Sequence, residues 1–301
     1  SFILFCVATF LLGTFNAAGQ YYRFAAAESV PIEHAPKAIS MVLLGGIAAA
    51  LTVPTITNWA DKGLDLPNHG GAFASVILYA SLGIIAPLLA RFTERDHVSD
   101  DIKVVKISLG EIFKRPAFIT GMVTTAGAQA LMNLLMTATP IAMREAGHQA
   151  HHSTDVIQAH VIAMFLPSLF SGWLISKLGV GKVVTLGICA MIAAVLAARS
   201  GLAVGHFTFS LILLGLGWNF LFVSGTSIVA GSHENHERAR VQGVNEMAVF
   251  GSSAIAALAS GALLNSLSWN GLALSSTLLI TIIILVNLRA VFAKKHLKTS
   301  T

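Results

Sequence analysis

Three sets of polar side chains recur at helical spacing within otherwise apolar sequence. Asn16, Gln20 and Arg23 fall at i, i+4 and i+7, so on a helix they share one face. Such a face suits water or a bound solute, and the always-charged guanidinium of Arg23 forks onto carboxylate or phosphate. Arg23 also stands about a turn from a helix end, where its head could snorkel to the interface or pair with Glu28. Gln129, Asn133 and Thr137 repeat every four residues, ahead of a Pro140 that permits a kink. Amides of this kind either line a cavity or hydrogen-bond packed helices together. Trp218, Asn219, Phe222 and Thr226 form the third set, with Asn219, Phe222 and Thr226 on one face. An aromatic pair beside an amide suits a flat, partly apolar organic molecule, although aromatics at helical spacing also serve plain packing. The nearby Gly215 and Gly217 suit close helix contact.

Glu246, beside Asn245, is the one carboxylate placed within an apolar segment. Burial favours the protonated form of a carboxylate, which suits uptake and release of protons. An ion pair with Arg240 or Arg238, bracing that end of its helix, is the plainer reading and is compatible with the first. His148, His151 and His152 on a connector invite a zinc site, and His160 begins the next helix. No cysteine or well-placed carboxylate beyond Asp155 completes a tetrahedral set, so the connector reads as solvated, as do His233 and His236. No nucleophile elbow, nucleotide loop or catalytic dyad occurs, which disfavours an enzyme and an ATP-driven pump and calls for no cofactor and no metal.

The elements that must position these residues are nine apolar stretches, at roughly 2–27, 36–58, 72–91, 117–143, 158–178, 182–201, 207–231, 241–265 and 269–292. Each is long enough to cross a hydrocarbon core of about 30 Å as a helix, which satisfies its own backbone polar groups there. Hydrophobic residues make up 55% of the 301-residue chain and charged residues 11%, where an ordinary soluble domain has about 25% charged. The chain is therefore expected to be an all-α polytopic membrane protein with the lipid bilayer as its principal partner. Cys6 and Cys189 lie in apolar segments and are expected to stay unpaired.

Charge placement orients the helices. If the polar interval 91–115 is cytoplasmic, sixteen of the nineteen Lys and Arg residues share its side, and only Lys62, Arg144 and Arg199 lie opposite. That asymmetry is the positive-inside pattern, so the net charge of +5 is topological and no nucleic-acid partner is implied. The C-terminus is then cytoplasmic and residue 1 lies outside. The opening Ser1-Phe2-Ile3 has no basic region or cleavage site of a signal peptide and reads as cut from a longer sequence.

A weak repeat matches Leu11-Leu12-Gly13 to Leu213-Leu214-Gly215 and Lys37 to Arg240 at a similar offset. Segments one to three then correspond to seven to nine, and partners of four to six would lie upstream. Two six-helix halves joined by a charged connector resemble the major facilitator superfamily, with this chain covering helices four to twelve. The stretch from Gly172-Trp173-Leu174 to Gly179-Val180-Gly181-Lys182 resembles the superfamily's cytoplasmic loop signature, with Ser176 in place of its acidic residue. The run Phe15-Asn16-Ala17-Ala18-Gly19-Gln20-Tyr21-Tyr22-Arg23 is similar to a fourth-helix sequence of a bacterial branch.

This resemblance implies a partial bundle over 1–91, a cytoplasmic loop over 92–116, a six-helix bundle over 117–292 and a tail over 293–301. It also implies a monomeric secondary transporter in a bacterial inner membrane, moving a small organic solute by alternating access with proton coupling. The three polar stripes would contact the solute, Glu246 would carry the proton, and Gly172, Lys177, Gly179, Lys182 and Arg240 would serve the gate. A transport-incompetent fragment of such a carrier and an intramembrane enzyme are the competing classes.

Overall fold

The computed structural model describes residues 2–20, 22, 35–64, 66, 70–89 and 108–299, and every regular element among them is helical. They fall into two compact units, Ser1–Ser99 and Asp100–Thr301. The first unit holds α1 (Phe2–Gln20), α2 (Ala35–Gly63) and α3 (Gly70–Leu89). Helices α2 and α3 approach so closely at Gly71 that a Cβ there would come within 2.2 Å of the Ala60 carbonyl oxygen. The Asp61 carboxylate accepts the Ala72 N–H at 3.3 Å, satisfying one of the orphan donors of the first turn of α3. Helix α1 meets α3 where the Phe15 ring covers Gly83, whose carbonyl also accepts the Tyr22 hydroxyl at 2.7 Å. Phe2, Phe10 and Trp59 stand more than 70% exposed, an apolar surface matched to lipid.

The second unit holds α4 (Leu109–Phe113), α5 (Pro116–Glu145), α6 (Ala150–Phe165), α7 (Ser168–Leu178), α8 (Val180–Arg199), α9 (Val204–Ala230), α10 (Arg238–Ser275) and α11 (Thr277–Thr299). Helices α5, α8 and α9 are each long and apolar enough to span a bilayer. Helices α6 and α7 form one broken span bent by 41°. The bend lies at Pro167, whose ring leaves no N–H to donate and crowds the carbonyl four residues back. The stretch Arg238–Phe292 is continuous apolar helix except at Ser268, whose backbone turns to φ 57°, ψ 177°. It folds back there. Asn245 and Asn287, on either side of the turn, bond to the adjacent Thr125 and Thr124 of α5, so the segments before and after Ser268 run antiparallel and make two crossings.

Helix α9 is the hub of this unit, and its glycines explain why. A Cβ on Gly215 would meet the His160 carbonyl oxygen of α6 at 2.8 Å, one on Gly217 the Gly187 carbonyl oxygen of α8 at 3.0 Å, and one on Gly225 the Gly121 carbonyl oxygen of α5 at 2.9 Å. In a bilayer, where burial away from water gives no net drive between helices, such close backbone approach supplies the packing energy. Leu131, Leu135, Met191, Leu211, Leu214 and Leu221 fill the spaces between and are fully buried.

The sequence reading places the fifth segment's start at residue 158, whereas α6 begins at Ala150. Its first turns carry His151, His152 and Asp155 and look like a connector because these side chains are polar. His160, expected near the start of that segment, is fully buried. The Leu211 carbonyl can only accept, so the His160 Nδ1 at 2.7 Å carries the proton and donates.

Candidate functional site

Gln129, Asn133 and Thr137 lie along a half-buried stripe of α5, and two of them are tied to neighbouring helices. The Trp218 indole N–H of α9 donates to Gln129 Oε1 at 2.8 Å. Asn133 Nδ2 donates to the Ser253 hydroxyl of α10. The Trp218 ring stacks on Phe222, one turn along α9, with centroids 4.8 Å apart and planes 20° from parallel. Phe165, at the end of α6, meets Trp218 edge-on at 6.2 Å. Trp218 itself is buried, whereas Phe165 and Phe222 remain half-open, so the open part of this aromatic wall is formed by the two phenylalanines with an amide at its edge. Phe165 and Ser253 escaped the sequence reading because each is an ordinary apolar or small residue whose partner lies on a distant segment. Thr226 is exposed one turn past Phe222.

Asn219 belongs elsewhere. It is fully buried, accepts the Ser171 hydroxyl at 2.6 Å and donates to the Met164 carbonyl at 2.7 Å and the Ser168 hydroxyl at 2.6 Å. Its amide thus braces the bend between α6 and α7, replacing hydrogen bonds that Pro167 disrupts. The face that accompanies Gln129 is set by Trp218 and Phe222, at i and i+4, and the expected face of Asn219, Phe222 and Thr226 splits between packing and opening.

Asn16 lies exposed on α1. The Gln20 side chain and the whole of Arg23 fall outside the described residues. Glu246 is half-buried on α10, beside an Asn245 buried against Thr125. Gly172, Lys177, Gly179, Lys182 and Arg240 are all exposed. Lys177 sits 5.9 Å from the Trp173 ring centroid, a cation–π placement. Gly179 joins α7 to α8 in a single residue at φ 85°, a conformation that penalises any side chain.

One close ion pair of this unit was not visible in the sequence, where Arg115 counted only as topological charge. Arg115, ahead of α5, forks onto Glu237 at 2.6 and 2.7 Å and donates a further bond to the Ser232 carbonyl at 3.0 Å. It ties the start of α5 to the connector between α9 and α10. The Arg115 guanidinium lowers the Glu237 carboxyl to about 2 from an ordinary 4.5, helped by the Glu234 backbone N–H. Because the folded value is the lower one, the stabilisation is full above 4.5 and is lost as pH falls through 4.5 toward about 2. The Glu237→Gln variant should therefore unfold at lower temperature than the wild type at neutral pH, with the gap closing across that acid window. A gap that stays constant with pH would exclude the ionised pair as its cause.

The model of the Major Facilitator Superfamily matches residues 122–300. Over 272 residues the chain is 37% identical to the riboflavin transporter RfnT of Brucella anthropi, an alignment covering 89% of this chain and 68% of that protein. It is 28% identical to each of two uncharacterised MFS-type transporters of Bacillus subtilis, YddS over 303 residues and YdeG over 297, covering 94% of this chain and 69% of each relative.

Proposed function

This chain belongs to the major facilitator superfamily, integral membrane proteins that carry small solutes, and we propose that its solute is a flat heteroaromatic molecule of the riboflavin type. The observation that carries this reading is the Trp218–Phe222 stack with Gln129 at its edge, on a half-open face of the second unit. An aromatic surface takes a planar ring by stacking, and an amide fixes its orientation in the plane. The name of the Brucella relative supports the same chemistry.

In this reading Gln129, Asn133, Thr137, Trp218, Phe222 and Thr226 contact the solute. Asn219 is left out, since its amide is spent on the α6–α7 bend. The carrier works by alternating access, with Glu246 as the proton-binding group. Gly172, Lys177, Gly179, Lys182 and Arg240 serve a cytoplasmic gate, beside which Arg115 and Glu237 hold one end of the bundle together. The protein acts as a monomer in a bacterial inner membrane, with its C-terminus in the cytoplasm as the lysine and arginine distribution favours. Riboflavin counterflow tests the proposal: vesicles holding the protein and preloaded with unlabelled riboflavin should transiently concentrate radiolabelled riboflavin, and protein-free vesicles should not.

A further inference from the structure

We infer that the α5–α9 face selects solutes by a carbonyl on the ring edge, read by the Gln129 amide in an orientation that Trp218 fixes. The inference rests on the flat-solute reading above and adds to it the polarity of the recognised edge. An amide side chain usually leaves its oxygen and nitrogen ends to be assigned from their surroundings. Here the surroundings decide. An indole N–H donates and cannot accept, so the end of Gln129 that meets Trp218 at 2.8 Å is its oxygen. The NH₂ group is thereby directed to the other side, and among the described residues it has no hydrogen-bond partner. Gln129 is half-buried, so this donor pair stands at the open edge of the aromatic wall.

Asn133 complements it. It lies one turn along the same stripe, about 6 Å away between Cβ atoms. One end of its amide is committed to Ser253, a hydroxyl that can donate or accept, and the other end is left to the stripe. The stripe thus offers a fixed donor from Gln129 and, from Asn133, an amide end that can turn to complement the same approaching edge. A ring edge that alternates C=O with N–H, as in a pyrimidinedione, answers both groups. A flat ring carrying only amino groups answers Asn133 alone and meets the Gln129 donors with donors. Trp218 is then a positioning residue for polarity, and the half-open Phe222 that stacks on it offers the ring surface. Removing only the indole N–H frees Gln129 to rotate and should blur the selection without removing the ring.

The test compares two flat tricyclic probes: riboflavin, with a carbonyl edge, and proflavine, with amino groups and no carbonyl. Equilibrium binding of each to the purified full-length protein is measured for the wild type, Gln129→Glu and Trp218→Phe. The wild type should prefer riboflavin. Gln129→Glu, which keeps the shape and replaces donors by acceptors, should lower the riboflavin-to-proflavine preference about ten-fold or more, the effect of leaving a buried acceptor unpaired. Trp218→Phe, which adds no charge that could attract the cationic proflavine, should lower it in the same direction by a smaller factor. A merely structural role would weaken both probes alike and leave their ratio unchanged, which overturns the inference. Riboflavin binding with an unchanged ratio in both variants overturns it while the flat-solute reading stands, as does wild-type binding of proflavine in preference to riboflavin. Binding of neither probe overturns both together.

Discussion

Replacing Trp218 by alanine should reduce riboflavin binding by roughly 30- to 1,000-fold and abolish counterflow. Stacking a heteroaromatic ring on an aromatic side chain contributes about 1–3 kcal/mol when tested by alanine substitution. The same change releases Gln129, at about 1 kcal/mol for the hydrogen bond that orients it. Together these give about 2–4 kcal/mol, and each 1.4 kcal/mol is about ten-fold in affinity. Phe222 also loses its stacking partner. Because truncating a largely buried tryptophan also tests the fold, Phe209→Ala on the same helix is the control: Phe209 is 59% exposed, and its loss should leave both stability and binding near wild type. Folded Trp218→Ala protein that transports riboflavin normally would remove the aromatic wall from the site.

Glu246→Gln should separate the driving force from the carrier. Glutamine keeps the size of the side chain and cannot bind or release a proton, so the variant resembles a permanently neutral carboxyl. Accumulation driven by a proton gradient should fall to equilibration, whereas the wild type gains up to about ten-fold in solute ratio per pH unit if one proton moves with each solute. Exchange of riboflavin for riboflavin needs no net proton movement and should continue. Uphill transport that survives the substitution would take Glu246 out of the coupling role and leave it as a brace of α10. Loss of exchange as well would point to a structural contribution.

Much of this architecture was legible from the chain because the bilayer imposes a single rule on every crossing: the backbone must bond to itself. Pro167 bends a span and Ser268 turns the chain back at places the apolar pattern marks only loosely, yet the crossings themselves follow from length and hydropathy. Helical spacing also singled out Gln129, Asn133, Trp218 and Phe222. What spacing could not supply was which partner each would find. Asn219 sits one residue from Trp218 and points to the opposite task, because the carbonyl and hydroxyl groups at the Pro167 bend come from a segment some fifty residues earlier. The Arg115–Glu237 pair, 122 residues apart, was hidden for the same reason. His160 was expected at a helix start and lies well inside the core because α6 begins earlier, at Ala150, and carries it inward. In each case the residue type was visible and the tertiary neighbour was not.

Riboflavin counterflow by the full-length protein in sealed vesicles, run beside Trp218→Ala and protein-free vesicles, is the most direct measurement of the central idea. It needs no gradient, so it reports the carrier and its site without depending on the coupling ion. Wild-type vesicles should show a transient rise of labelled riboflavin, competed by excess unlabelled riboflavin outside and absent from the other two. Wild-type uptake no greater than that of protein-free vesicles would contradict the central idea.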